Sequence, residues 1–189
     1  MDWRWLFGKT VRRPLPAFRA ELEGSPALGL FDYWNEKRGA RPFPSSKSVD
    51  PVDMPADLLP YLLLVEAEPN GNYRFRLAGT RMREVFGTDP TGKTLEQILD
   101  GADLENARRS YGRVLENERP WLSRVVYVSG DRGTFTYQRL TLPIGLGRKP
   151  DRLLSGLFVQ NDNVFVQDFG VLHYTKALQV QSRFEMMLA

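Results

Sequence analysis

The chain of 189 residues contains no cysteine and a single histidine, His173. Disulfides, thiolate metal sites, thiol nucleophiles and iron–sulfur clusters are thereby excluded, and no histidine pair exists to hold a metal or relay a proton. No apolar run approaches the roughly 18 residues of a membrane span. The N-terminal stretch from Trp3 to Phe7 is broken by Arg4 and lacks the apolar region of a secretory signal. Charge of one sign is scarce as well: 26 Lys and Arg face 23 Asp and Glu, a formal net charge of +3. So small an excess gives a weak steering field. The arginines are scattered and mostly accompanied by acidic residues, which makes a mixed-charge surface rather than the basic, aromatic-interleaved stripe of a nucleic-acid binder. Glycine and proline, 16 and 13 residues, are too few for a collagenous or low-complexity chain and enough to punctuate several short elements. The remainder has an ordinary soluble globular composition, and a cytoplasmic location is expected.

Periodicity then orders the chain. Ser25-Pro26 opens a short amphipathic helix carrying Leu28, Phe31, Tyr33 and Trp34, and Gly39 stops it. Pro42, Pro44, Pro51, Pro55 and Pro60 forbid a long helix or a central strand from Ala40 to Pro60, although Asp50-Pro51 can cap one helical turn, so this stretch reads as an ordered wrapping loop. Leu62 to Val65 is continuously apolar, Asn70-Gly71 is a hairpin turn, and Tyr73, Phe75 and Leu77 alternate with Arg74 and Arg76. Helices are expected from Thr80 to Phe86, from the capping box Thr94–Gln97 through Leu99, and along Leu104, Ala107, Tyr111, Val114 and Leu115. Three strands follow, Trp121 to Val128, Phe135 to Leu142 and Leu153 to Gln160. The first and last of the five strands are apolar in both phases and belong at the centre of the sheet, side by side. The expectation is an α+β fold: a five-stranded antiparallel sheet in the order 2-1-5-4-3, with the intervening helices on one face.

A sheet of that order with helices between its second and third strands has the topology of the PAS domain. The segments FDYWNEKRGARPFPSSKSVDP, LLPYLLLVE, YRFRLAGTRMREVFGTDPTGKTLEQIL and RLLSGLF also resemble a family of small, mainly proteobacterial PAS-like proteins, over roughly Leu30 to Gln160. The resemblance implies a noncatalytic sensory or protein-interaction domain, with a small-molecule cavity between sheet and helices and a separate signalling partner. It says little about the ligand. Haem-binding PAS proteins need an axial histidine beside the pocket, and covalent flavin and cinnamoyl photosensors need a cysteine. With no thiol and with His173 beyond the fifth strand, haem and covalent flavin are not expected, whereas noncovalent binding stays open.

Several motifs compete with that reading. Gly87-Thr88-Asp89-Pro90-Thr91-Gly92-Lys93-Thr94 matches the phosphate-binding pattern G-x-x-x-x-G-K-[ST], which makes a P-loop nucleotide hydrolase one alternative. The residues before Gly87 are too charged for the buried strand that such a loop requires, and a structural turn is the simpler reading. A basic nucleic-acid adaptor is the other alternative. Arg74 and Arg76 suit either a solvated strand face or anion recognition, and Arg139 shares its phase with Phe135 and Tyr137.

The expected cavity is lined by Tyr73, Phe75 and Leu77 on one wall and by Phe86, Ile98 and Tyr111 on the other, with Tyr137 and Arg139 completing the site. It suits a small aromatic or apolar ligand with one anionic or hydroxyl end. The expected boundaries are an N-terminal tail over 1–24, the PAS-like domain over 25–162, and a C-terminal amphipathic helix over 163–189. That helix would present His173, Ala177, Val180, Phe184, Met187 and Leu188 as an apolar stripe for homodimer formation or for packing in cis. Trp3 to Arg13 suits either a small interfacial or partner-docking anchor or a tail on its own domain.

Overall fold

A computed structural model of the chain describes residues 10–129, 133–161, 164–165 and 179–189. The N-terminal part holds a short strand, Val11–Arg13 (β1), and two helices, Leu15–Ala20 (α1) and Ala27–Arg38 (α2). Ser25 Oγ accepts from the Ala27 amide at the entry of α2, and Gly39 closes it. The prolines keep residues 40–60 irregular apart from three 3-10 turns. One of these is Pro51–Asp53, capped by the Asp50 carboxylate on the Val52 amide at 2.9 Å.

The hairpin of Leu62–Ala67 (β2) and Tyr73–Ala78 (β3) follows, then Thr80–Phe86 (α3), Leu95–Ile98 (α4) and Gly101–Asn117 (α5). The remaining strands are Trp121–Ser129 (β4), Gly133–Ile144 (β5), Arg152–Asn161 (β6), Val164–Phe165 (β7) and Gln179–Leu188 (β8). The sheet runs β1-β8-β4-β5-β6-β2-β3, with β7 pairing to β6. Its β3-β2-β6-β5-β4 portion follows the order expected for five strands, but the sheet is larger and mixed: β8 lies antiparallel to β4, and β1 parallel to β8.

The C-terminal helix is therefore corrected over residues 179–188, which form a strand; His173 and Ala177 lie outside the described residues. Of the apolar stripe that suggested a dimer contact, Met187 and Leu188 are buried against the chain itself and Phe184 is half-buried. Among the described residues no helix is long and apolar enough to cross a membrane.

Both faces of the sheet are covered, and the strand registers assign them. On one face Leu140 lies opposite Gly156, and Leu142 and Leu64 both lie opposite Leu154. On this face α2 docks so closely that a Cβ on Gly156 would sit 2.6 Å from Leu30 Cδ2. On the other face Tyr137, Arg139 and Thr141 pair with Val159, Leu157 and Ser155, and Arg139 reaches Ser110 of α5. The expectation of helices on one face holds for α3–α5 only, because α2 and the proline-rich wrap cover the reverse side.

One carboxylate joins three strands on the α2 face. Glu66 of β2 accepts from Arg76 of β3 and, at 3.2 Å, from Arg152 of β6. The Arg76 hydrogen bond holds its carboxyl below the ordinary value of 4.5, partial burial opposes this, and Arg152 adds to the lowering. A lowered folded-state value means stabilisation that is present above the ordinary value and is lost as pH falls through the folded one. Glu66→Gln should therefore flatten the decline in unfolding free energy with acidification below pH 4.5, as measured by urea unfolding across the acid range. Parallel curves for the variant and the natural chain would show that the triad contributes nothing measurable.

Candidate functional site

The expected lining residues divide between the two faces. Tyr73 and Phe75 point toward the helices, where the Tyr73 and Tyr111 rings meet edge-on at 5.4 Å and the Phe75 and Phe86 rings tilt together at 5.6 Å. Ile98 of α4 packs against this core, and Tyr137 and Arg139 face it from β5. Leu77 does not join them. The register between β2 and β3 shifts between Leu64, opposite Leu77, and Val65, opposite Phe75. Arg76 is the extra residue of that β-bulge, and a one-residue offset sends the side chains beyond it to the opposite face. Leu77 accordingly stands on the α2 face.

Arg139 is the polar group of the helix-facing cluster. Its Nη2 donates to Ser110 Oγ at 2.9 Å, while Ser110 Oγ donates to Ala107 O at 3.1 Å. The guanidinium carbon stands 5.7 Å from the Tyr111 ring centroid, and Nε is buried with no hydrogen-bond partner. Among the described residues no carboxylate lies within ion-pair distance of it; Glu185, two strands away on the same face, pairs with Arg113 at 3.6 Å. Burial raises the Tyr111 hydroxyl above its ordinary value, with Arg139 opposing, so Tyr111 stays a neutral donor.

An open space lies on the other face. A cavity of about 370 Å³ has Leu62, Leu64, Leu77 and Leu154 as its floor. Its roof is the proline-rich wrap, through Val49, Pro51, Met54, Leu59 and Pro60, and Ala56 and Thr80 stand exposed at its mouth. Gly79 closes the rim where the wrap passes: a Cβ there would lie 2.3 Å from the Leu59 and Pro60 carbonyl oxygens. Except for the Thr80 hydroxyl, the lining side chains are apolar, and none is charged.

Two neighbouring residues of α2 build this roof. The Tyr33 hydroxyl donates to Asp50 O at 3.1 Å and accepts from Asp50 N at 3.0 Å, which pins the wrap to the helix. Trp34 Nε1 donates to Pro143 O at 2.8 Å and pins the helix to β5. Lys37 adds an ion pair to Asp53 at 2.8 Å. Sequence reasoning misses the roof residues. The signal available is the chemistry of the wrap itself, a run of prolines interrupted by Val49, Met54 and Leu59 that has no periodic partner in its own segment.

The phosphate-binding alternative does not survive the geometry. Gly87 ends α3, a helix and not a strand, in the left-handed conformation at φ 65°. The amides that would cradle a phosphate already have acceptors: Thr91 N on Asp89 Oδ1, Gly92 N on Phe75 O, Lys93 N on Pro90 O and Thr94 N on Gln97 Oε1. Lys93 Nζ donates to Thr88 Oγ1 within the turn. Arg74 and Arg76 are occupied by Glu68 and Glu66, which leaves neither as an anion receptor. Among the described residues no cluster of three or more His, Cys, Asp or Glu is placed to hold a metal.

No curated protein and no solved structure matches the chain. A family model described as a PAS domain matches residues 23–158, from the approach to α2 almost to the end of β6. With that match spanning most of its length, and the β3-β2-β6-β5-β4 portion of the sheet in PAS order, the chain belongs to the PAS domain family.

Proposed function

We propose that this chain is a noncatalytic sensory module whose ligand is a small apolar molecule, held between the outer face of the PAS sheet and the proline-rich wrap. The aliphatic cavity of about 370 Å³ carries this reading. Its volume falls in the range of small-molecule sites, and an uncharged lining selects against polar metabolites because their hydrogen bonds to water would go unreplaced. The roof is the moving part of the device. A ligand touching Met54 and Val49 presses on a segment tied to α2 by the Tyr33–Asp50 pair and the Lys37–Asp53 ion pair, so occupancy biases the wrap and α2 together. A separate partner protein would read that change.

A thermal-unfolding titration with decanol and with indole tests the reading. Either probe should raise the unfolding temperature of the natural chain, approaching about 2.7 kcal/mol of stabilisation at a hundredfold excess over its dissociation constant. Leu77→Trp, a half-buried position at the cavity floor, should remove the shift by filling the space. Equal shifts in both proteins would place the ligand elsewhere.

A second reading, an anion-accepting position on the helix face, is favoured by one observation: the buried Nε of Arg139 has no partner. A carboxylate or phosphate end of a ligand would supply the missing acceptor and the missing charge. A partly buried charge without a counter-ion costs stability, so Arg139→Met should keep or raise the unfolding temperature in anion-poor buffer. The same variant should lose any stabilisation by benzoate or inorganic phosphate. A marked fall in stability without anions would make Arg139 a structural residue, held by Ser110 and Tyr111 alone.

A further inference from the structure

The end of the molecule where the wrap meets the β5–β6 hairpin gathers basic residues without acidic neighbours. Elsewhere many of the basic residues stand beside carboxylates, as Lys37 with Asp53, Arg74 with Glu68 and Arg108 with Glu96. Residues 41–49 and 144–150 together contain four basic residues, Arg41, Lys47, Arg148 and Lys149, and no acidic one. All four are exposed, and among the described residues none has a carboxylate within ion-pair distance. Of the nearest acids in sequence, Asp50 caps its own turn on Val52 N, and Asp151 has Oδ1 buried without a hydrogen-bond partner, turned away from solvent.

Backbone pairing brings the two segments together. Ser45 bridges to Gly145, with Ser46 N on Gly145 O at 3.0 Å and Gly145 N on Pro44 O at 3.2 Å. Between them lies a cleft of about 240 Å³ lined by Arg41, Ser45, Leu146 and Arg148. Arg41 is held at this rim by Lys37 O at 3.2 Å, a carbonyl of the last turn of α2 that leaves its charge uncompensated. Leu146 stands at the tip of the hairpin, 54% exposed, one residue before Gly147 and two before Arg148.

We infer that this end of the molecule is a docking surface for an anionic phospholipid bilayer. The four unpaired cations meet the headgroup phosphates, and Leu146 enters the acyl boundary between them. Charge complementarity alone would suit any polyanion. Leu146 decides among them, because an exposed aliphatic tip that shares its cleft with Arg41 and Arg148 gains from a lipid interface and gains nothing against a phosphodiester backbone. The one aromatic ring of the cleft, Phe43, is buried and unavailable for stacking on a base. The inference stands apart from the ligand cavity, which lies elsewhere on the α2 face and shares no lining residue with the cleft.

Co-sedimentation of the full chain with large vesicles tests it. The chain should pellet with phosphatidylcholine vesicles containing phosphatidylglycerol and not with phosphatidylcholine alone, and added salt should release it. The double variant Arg148→Glu/Lys149→Glu should bind at least about tenfold more weakly. Leu146→Ser should weaken binding while leaving its salt dependence unchanged. Both variants lie on an exposed turn, and an unchanged unfolding temperature confirms that they fold. The inference is overturned by equal binding to the two vesicle types, by no binding to either, by full binding of the double variant, or by an oligonucleotide held as tightly as the vesicles.

Discussion

The strand β6 cannot be solvated on either side, and the rest of the architecture answers to that constraint. Leu153, Leu154, Leu157, Phe158 and Val159 are all buried, with alternate residues facing opposite ways. A sheet with such a strand at its centre needs a layer on each face. The helices α3–α5, inserted between β3 and β4, supply one layer. The other comes from the N-terminal segment, where α2 lies over β5 and β6 and the proline-rich stretch continues over β2 and β3. Gly156 marks how close that second layer comes, since any side chain there would displace Leu30 or Phe158.

The two layers differ in how they are held. On the helix side, ring against ring and Trp121 beneath Arg113 make contacts that depend on packing. On the wrap side, Trp34 fixes α2 to β5, and the Tyr33 hydroxyl fixes to α2 a segment without regular backbone pairing, over a floor of leucines that it does not fill. Prolines suit such a segment because they restrict the unfolded wrap and so lower the entropy lost on ordering it, without asking for the donors that a strand or helix would use.

Most of the fold is legible in the sequence. The alternation of Tyr73 and Phe75, the apolar run at Leu62, the helix stop at Gly87 and the capping box at Thr94 each express a local rule, and each element forms where that rule puts it. The site is less legible. The bulge at Arg76 arises from pairing with β2 and leaves no mark on the alternation, so the pattern alone puts Leu77 on the wrong face. The C-terminal residues mislead for another reason: Val180, Phe184 and the run Met186-Met187-Leu188 fit a helical and an extended period alike, and the long-range partner β4 decides between them. The cavity roof is a tertiary contact between a loop and a sheet, and periodicity carries no information about it.

The proposed ligand space lies under the wrap and not among the helix-face rings. Methyl NMR of the chain labelled at Leu, Val and Met, titrated with decanol, tests that placement directly. Shifts should concentrate at Met54, Leu64, Leu77 and Leu154, with Leu95, Val114 and Leu157 unmoved. Shifts concentrated at Leu95, Val114 and Leu157 would contradict it.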